Sequence, residues 1–264
     1  MHSTASSAGA VVVTGGGHGI GRAIVQRLLA DSAHLVLIEF NEAAASRLRR
    51  ELDPAHASII TGSASDEAIA SHAIEVSREH GGLSGWVNNA AVFADVQLQD
   101  ADADSFLRSV DANVRPVVVG CRSAITEFRA IHRPGTIVNL SSHQAARAVP
   151  GAAGYVTAKA AIEGFTRAMA VDQGPAGIRV NAVAPGSIVT ERYTAYLDSL
   201  PSADAARARA ANDAAHALHR VGRAAEVADV VRFLLSDESS FITGATIPVD
   251  GGRTVLAVDA EVRQ

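Results

Sequence analysis

Tyr155 and Lys159 stand four residues apart in Tyr155-Val156-Thr157-Ala158-Lys159. On a helix, positions i and i+4 share a face, so the phenol and the ammonium can meet. A free phenol has a pKa near ~10 and is a poor base at pH 7. A neighbouring cation favours the phenolate and lowers that pKa. A phenol so tuned can exchange a proton with a substrate oxygen. By itself a Tyr and a Lys at this spacing is common helix-surface chemistry, so the pair needs a context.

The first context is Thr14-Gly15-Gly16-Gly17-His18-Gly19-Ile20-Gly21, which joins an apolar run to a helix-like stretch. The spacing of Gly15, Gly19 and Gly21 is G-x-x-x-G-x-G rather than G-x-G-x-x-G, but the physical need is the same. Glycines permit a tight turn and let a pyrophosphate approach backbone N–H groups at a helix N-terminus. No Lys-Ser/Thr follows the glycines, which argues against a nucleoside-triphosphate loop. Glu39 ends the next apolar run, twenty residues after Gly19. A carboxylate there can accept hydrogen bonds from ribose hydroxyls and would repel a 2′-phosphate. Phe40 follows where an Arg could have paired with that phosphate, and His18 is no substitute for a permanent cation. These residues predict NAD over NADP; the bland alternative for Glu39 is a solvated charge at a strand end.

Elements must position these groups. Strands are predicted at 9–14, 34–38, 58–61, 83–87, 135–140, 178–183 and 245–249. Helices are predicted at 19–31, 41–51 (with Asn41 as cap), 66–80, 102–113, 116–131, 152–173 and 225–235. Alternation of helices with near-continuous apolar strands implies a parallel sheet of about seven strands covered on both faces. Ligands of such sheets sit at the carboxyl ends of the strands. The segment 187–220 is Ala-rich, has little strand character and interrupts the alternation just after Pro185-Gly186. It reads either as a surface helical insertion or as a substrate lid; the lid is the preferred reading. No internal repeat or long linker divides the chain, so 1–264 is expected to be one domain.

Composition narrows the classes. The chain has 264 residues, 48% of them hydrophobic, and a formal net charge of −5. Those values argue against disorder and against general binding to nucleic acid or anionic membranes. The one cysteine, Cys121, permits no intrachain disulfide, and no cysteine cluster is present to hold a metal. Its apolar neighbourhood suggests a small buried hydrophobe. The N-terminal ten residues lack a basic patch followed by an apolar signal core, and no segment is long and apolar enough to span a bilayer. A cytoplasmic location is therefore expected.

The motifs occur in the order Thr14–Gly21, Asn88-Asn89-Ala90, Asn113, Ser141-Ser142, Tyr155/Lys159, Pro185-Gly186 and Val249-Asp250-Gly251-Gly252. In that order they resemble the classical short-chain dehydrogenase/reductase family, over residues 11–252. The resemblance implies a single-domain, Rossmann-like doubly wound fold. It implies Tyr155 as general acid or base, with Lys159 lowering its pKa and holding the nicotinamide ribose. Ser142 would orient the substrate oxygen, whereas Ser141 would be structural. Asn113 would anchor a water in a proton path to Lys159. The cofactor would meet Gly15, Gly17, His18, Gly19, Ile20, Gly21, Glu39, Phe40, Ser63, Ala64, Asn89, Ala90, Ala91, Tyr155, Lys159, Pro185, Gly186, Ile188 and Thr190, with Ile188 and Thr190 fixing the carboxamide. Asn88 would tie neighbouring strands together.

Three positions depart from the family pattern. Ser63 stands where an Asp usually bonds the adenine amino group, Ala91 closes the Asn-Asn-Ala motif in place of Gly, and Thr157-Ala158 replaces Ala-Ser. None removes a reacting group.

Substrate contacts are expected from Ser142, Gln144 and Tyr155. His143, Arg147, Phe93, Tyr193, Tyr196, His216 and His219 are mostly expected in surface or packing roles. Arg147 and Arg192 would suit an acidic substrate, but solvated arginines are commoner. Tyr193 and Tyr196 are expected to pack the lid. The family resemblance also implies a homotetramer or homodimer, with Val255, Leu256 and Val258 of the C-terminal tail on a neighbouring subunit.

The leading expectation is an NAD(H)-dependent oxidoreductase acting on a small secondary alcohol or ketone. A 3-oxoacyl thioester reductase is the alternative on the same scaffold, disfavoured by Glu39 and by the acidic net charge. A non-catalytic NAD-sensing protein is the alternative from another class, disfavoured by the full Asn113, Ser142, Tyr155 and Lys159 set. An extended epimerase or dehydratase is disfavoured by chain length and glycine spacing.

Overall fold

A computed structural model describes residues 9–30, 34–93 and 98–257 of the chain. Seven strands form one parallel sheet in the order β3-β2-β1-β4-β5-β6-β9. They are β1 (Ala10–Thr14), β2 (His34–Glu39), β3 (Ala57–Thr61), β4 (Leu83–Asn88), β5 (Gly135–Leu140), β6 (Ile178–Pro185) and β9 (Thr246–Val249). The runs are apolar because both faces of the sheet are covered. Successive residues alternate between the two cores. Val12, Val36 and Ile38 pack with Ile74 of α3 (Glu67–Glu79), Phe128 of α4 (Ala103–Ala130) and Ile162 of α5 (Ala153–Gln173). Val11, Val13, Leu35 and Leu37 pack with Ile24 of α1 (Gly19–Leu29), Leu48 of α2 (Glu42–Glu51) and Val231 of α8 (Ala224–Leu235). The strand order reverses between β1 and β4, which opens a crevice at their carboxyl ends.

The predicted boundaries differ from the observed ones by a residue or two, within ordinary end fraying. Residue 31, the expected end of α1, lies outside the described residues. Asn41 does cap α2: its side chain accepts from the Ala44 N–H at 2.9 Å.

One expectation fails outright. Residues 102–131 were read as two helices separated near Pro116, but α4 runs unbroken through it. Proline in a helix interior removes one backbone bond and costs about 3 kcal/mol. Here it is outweighed by burial. Asn113, Pro116, Val117, Gly120, Cys121, Ala124 and Phe128 form one continuous buried stripe at steps of three and four. Breaking the helix at Pro116 would take half of that stripe off the sheet.

The excursion after β6 also holds more order than expected. Two short strands, β7 (Ile188–Val189) and β8 (Gly222–Arg223), pair in parallel as a small second sheet. Between them lie α6 (Glu191–Asp198) and α7 (Ser202–Ala214). No residue of α7 is buried, whereas α6 buries Leu197. The bonds of β7 and β8 close the base of the excursion, which no alternating apolar pattern announces in two-residue strands.

Cys121 is fully buried, and burial pushes its thiol up to about 12. A thiol-specific reagent at pH 8 is therefore expected to leave the folded protein unmodified and to label one thiol per chain after denaturation. Rapid labelling of the native protein would contradict this packing.

Candidate active site

The turn between β1 and α1 is built by close approach. Gly15 and Gly19 have φ of +69° and +52°, which L side chains rarely adopt. A Cβ on Gly21 would lie 2.0 Å from the Gly15 carbonyl oxygen. The α1 N-terminus has no side-chain cap and no acid in its first turn, so its N–H groups need an outside acceptor. One finds it in Glu191, whose Oε2 accepts from the Gly19 N–H at 2.9 Å. The turn therefore holds an anionic oxygen already, and its donors fit a dinucleotide phosphate.

Around this turn, several expected cofactor residues also hold the fold. Glu39 is buried; its two oxygens accept from the Gly17 N–H at 2.8 Å and the Asn41 N–H at 3.0 Å. Each carboxylate oxygen retains a further lone pair for a ribose hydroxyl. Phe40 is exposed. Asn89 donates from Nδ2 to the carbonyls of Thr14 and Gly15, and Thr14 Oγ1 accepts from the Asn89 and Ala90 N–H groups. Asn89 thus stitches β4 to the glycine turn, the kind of tie expected only of Asn88. Asn88 makes one too, donating to Asn139 Oδ1 at 2.8 Å. Ser63 Oγ accepts from the Ser65 N–H, and Ala64 packs against the core. Ala91, which follows Ala90 in the chain, is exposed. Sequence reasoning passed over Arg47, whose Nη2 donates to the Gly17 carbonyl at 2.5 Å. Its position on α2, eight residues after Glu39, carries no motif that would reveal it.

Tyr155 and Lys159 lie on the first turns of α5, and both reach the carboxyl end of β5. Lys159 is buried, with Nζ 5.4 Å from the Tyr155 ring centroid and donating to the Leu140 carbonyl at 2.7 Å. Burial pulls its pKa down to about 8. Ser142 follows β5, and its hydroxyl is close enough to the phenol to favour the phenolate. The electrostatics of Tyr155 differ from expectation. Burial dominates and holds its pKa above the ordinary phenol value; the opposing influences are Ser142 and the Arg192 guanidinium. Lys159, whose Nζ bonds the Leu140 carbonyl, is not among the groups that offset burial here.

Asn113 is buried and committed: Oδ1 accepts from the Val92 N–H at 3.0 Å, and Nδ2 donates to the Ser109 carbonyl at 3.3 Å. It secures the segment after β4 to α4. Ser141 bonds Glu163 and the Lys159 carbonyl, a structural position as expected.

A cleft of about 330 Å³ opens over Ser142 and Tyr155. It is lined by Ile20, Phe93, His143, Gln144, Pro185, Gly186, Ile188 and Thr190, and by Arg192, Tyr193 and Tyr196 of α6. Thr190 Oγ1 accepts from the Tyr193 N–H and so caps α6. Phe93 packs against Tyr155 with the rings tilted by 43° and their centroids 4.5 Å apart, and the Arg192 guanidinium sits 3.7 Å from the Phe93 centroid. Other candidates go elsewhere. Arg147 donates to the Thr254 carbonyl, and His216 joins α7 to Ser187 through the Ser187 N–H and the Asn212 carbonyl.

A family model described as enoyl-(acyl carrier protein) reductase matches residues 15–254. The 2-(S)-hydroxypropyl-CoM dehydrogenase 3 of Xanthobacter autotrophicus is 35% identical over 253 residues, covering 93% of this chain and 96% of that one. The chain belongs to the short-chain dehydrogenase/reductase family. Cyclopentanol dehydrogenase of Comamonas sp. is 36% identical over 249 residues, with coverage of 92% and 96%. The ligand-free structure of Thermoplasma acidophilum aldohexose dehydrogenase superposes with a TM-score of 0.86 at 28% identity, over 98% of both chains. This short-chain dehydrogenase/reductase is accordingly an enzyme acting on CH–OH groups with a nicotinamide cofactor.

The depressed pKa of Lys159 has a consequence for stability. Between about pH 8 and 10.5 the unfolded chain keeps a proton that the folded chain has shed, so this group makes stability rise with pH across that window. Lys159→Met removes the effect. Urea denaturation at pH 7.5 and pH 10 is expected to show the unfolding constant of the wild type, relative to the variant, falling roughly tenfold or more. No change in that ratio would mean that Lys159 titrates as it does in water.

Proposed function

We propose that this chain is an NAD(H)-dependent oxidoreductase interconverting a small secondary alcohol and its ketone, with Tyr155 as general acid/base. One observation carries the reading: Ser142, Tyr155 and Lys159 converge at the end of β5, on the cleft that Ile20 and Thr190 connect to the anion-holding turn of α1. Bound nicotinamide would supply or accept the hydride. Ser142 Oγ donates to the substrate oxygen and fixes its direction. Tyr155 Oη takes the carbinol proton in oxidation and returns one to the carbonyl oxygen in reduction. Lys159 holds a positive charge beside the phenol, and its ammonium would bond the nicotinamide ribose. Pro185, Gly186, Ile188 and Thr190 would form the wall that holds the nicotinamide, and α6, which lines the same cleft, would serve as its lid.

Glu39 favours NAD: its buried carboxylate accepts from a ribose hydroxyl and repels a 2′-phosphate. Arg47 beside Gly17 is the observation on the other side, since a guanidinium suits a phosphate. Arg47 gives one N–H to the Gly17 carbonyl and keeps a buried Nε without a partner, so the NAD reading stands on the Glu39 carboxylate, which faces the same turn. The enzyme is further proposed to work in the cytoplasm as a homotetramer or homodimer. Exposed apolar residues such as Phe241 and Val255 would be covered by a second copy; residue 258, the third of the tail residues expected there, lies outside the described residues.

Titration of protein fluorescence with NADH and NADPH is expected to show tighter NADH binding; equal or reversed affinities would refute the role of Glu39. Tyr155→Phe is expected to lower kcat by about a hundredfold or more on any alcohol the wild type oxidises. Unchanged turnover would remove Tyr155 from the chemistry. Glu191→Gln takes away the carboxylate that competes with the cofactor phosphates for the α1 N-terminus. It is expected to tighten NADH binding by roughly three- to tenfold at low salt, whereas weaker binding would show that Glu191 assists the cofactor.

A further inference from the structure

We propose that the substrate carries a second hydroxyl beside its reacting carbinol, so that it is a diol in one direction and a hydroxyketone in the other, read by His143 and Gln144. The inference rests on the reading above, in which Ser142 and Tyr155 hold the reacting oxygen.

Among the described residues, five buried side-chain polar atoms lack a hydrogen-bond partner, and three of them belong to the lining of one cleft. These are His143 Nε2, Gln144 Oε1 and the Tyr193 hydroxyl. Buried polar atoms without partners cost free energy, so three around one cleft point to an occupant that satisfies them.

The chemistry of the three atoms specifies that occupant. His143 is 5% exposed, and its Nδ1 lies 3.1 Å from the Pro185 carbonyl oxygen. A carbonyl only accepts, so Nδ1 carries the hydrogen and Nε2 presents a lone pair. The ring stays neutral, because burial and nearby Arg253 push its pKa down to about 4. Gln144 Oε1 is likewise an acceptor. The Gln144 N–H donates to Ser142 Oγ at 3.2 Å, which keeps both acceptors in the turn that presents the reacting serine. Two acceptors require a donor on the substrate.

Other donors and anions fit poorly. An ammonium would meet the Arg192 guanidinium, and among the described residues no carboxylate lines the cleft to balance it. A carboxylate or sulfonate group suits Arg192 but offers no hydrogen to His143 or Gln144. A hydroxyl donates to one acceptor and can still accept from the Tyr193 hydroxyl. It takes no part in the redox step: the second C–O–H remains intact while the neighbouring carbinol loses or gains its hydride and proton.

The test compares two matched pairs, cyclohexanol with its vicinal diol and sec-butanol with its vicinal diol. NADH cannot react with an alcohol, so calorimetric titration of the protein, alone and saturated with NADH, reads binding without turnover. In at least one pair the diol is expected to bind about tenfold tighter or more, the worth of one well-made hydrogen bond in a buried site. Gln144→Leu is expected to cut that diol preference about tenfold. Equal affinities in both pairs, no measurable diol binding, or an unchanged preference in Gln144→Leu would each overturn the proposal. Unchanged turnover in Tyr155→Phe would instead sink the acid/base reading and leave these binding ratios to decide this one.

Discussion

A buried ammonium with one fixed protein partner sets the terms for the rest of this site. Lys159 sits on α5 with its Nζ against the last carbonyl of β5. Taking such a charge out of water is costly, and one carbonyl offsets only part of the cost. The surroundings are arranged so that the charge stays where it is. Ser141 ties the Lys159 backbone to the strand end, and Asn139 of β5 donates to Thr166 further along the same helix. These bonds hold α5 to β5 over several turns. Tyr155 and Ser142 meet because one belongs to that helix and the other follows that strand.

A second constraint acts at the crevice between β1 and β4. Parallel strands end there with free carbonyls, and the structure gives them fixed donors rather than leaving them to solvent. Asn89 supplies two bonds and Thr14 collects two more. The glycine turn is thereby held open before any ligand arrives, an instance of preorganisation that lowers the ordering cost of binding. Glu39 belongs to the same scaffold through Gly17 and Asn41. The residues that would select the cofactor are also the residues that shape its cradle.

The sheet and its helices were legible because burial on both faces leaves apolar runs, and because turns and caps such as Asn41 have local chemistry. The pair Tyr155/Lys159 was legible as a spacing on one helix. What stayed hidden was set by partners far away in the chain. Pro116 looks like a break unless one knows that the stripe on either side packs on the sheet. Asn89 resembles a cleft residue until its two carbonyl partners are seen. Arg47 and Glu191 carry no motif; each reaches the glycine turn from another element. Arg192 was read as a solvated charge, yet it lies on the Phe93 ring over the cleft and acts on the phenol. Tertiary electrostatics of this kind leave no trace in a local pattern.

Glu191 and Arg192 are consecutive residues at the start of α6, and they face two different ligands. The first holds the dinucleotide turn; the second stands over the place of the alcohol. The two seats are thus joined by a single peptide bond, and one short helix carries a contact to each.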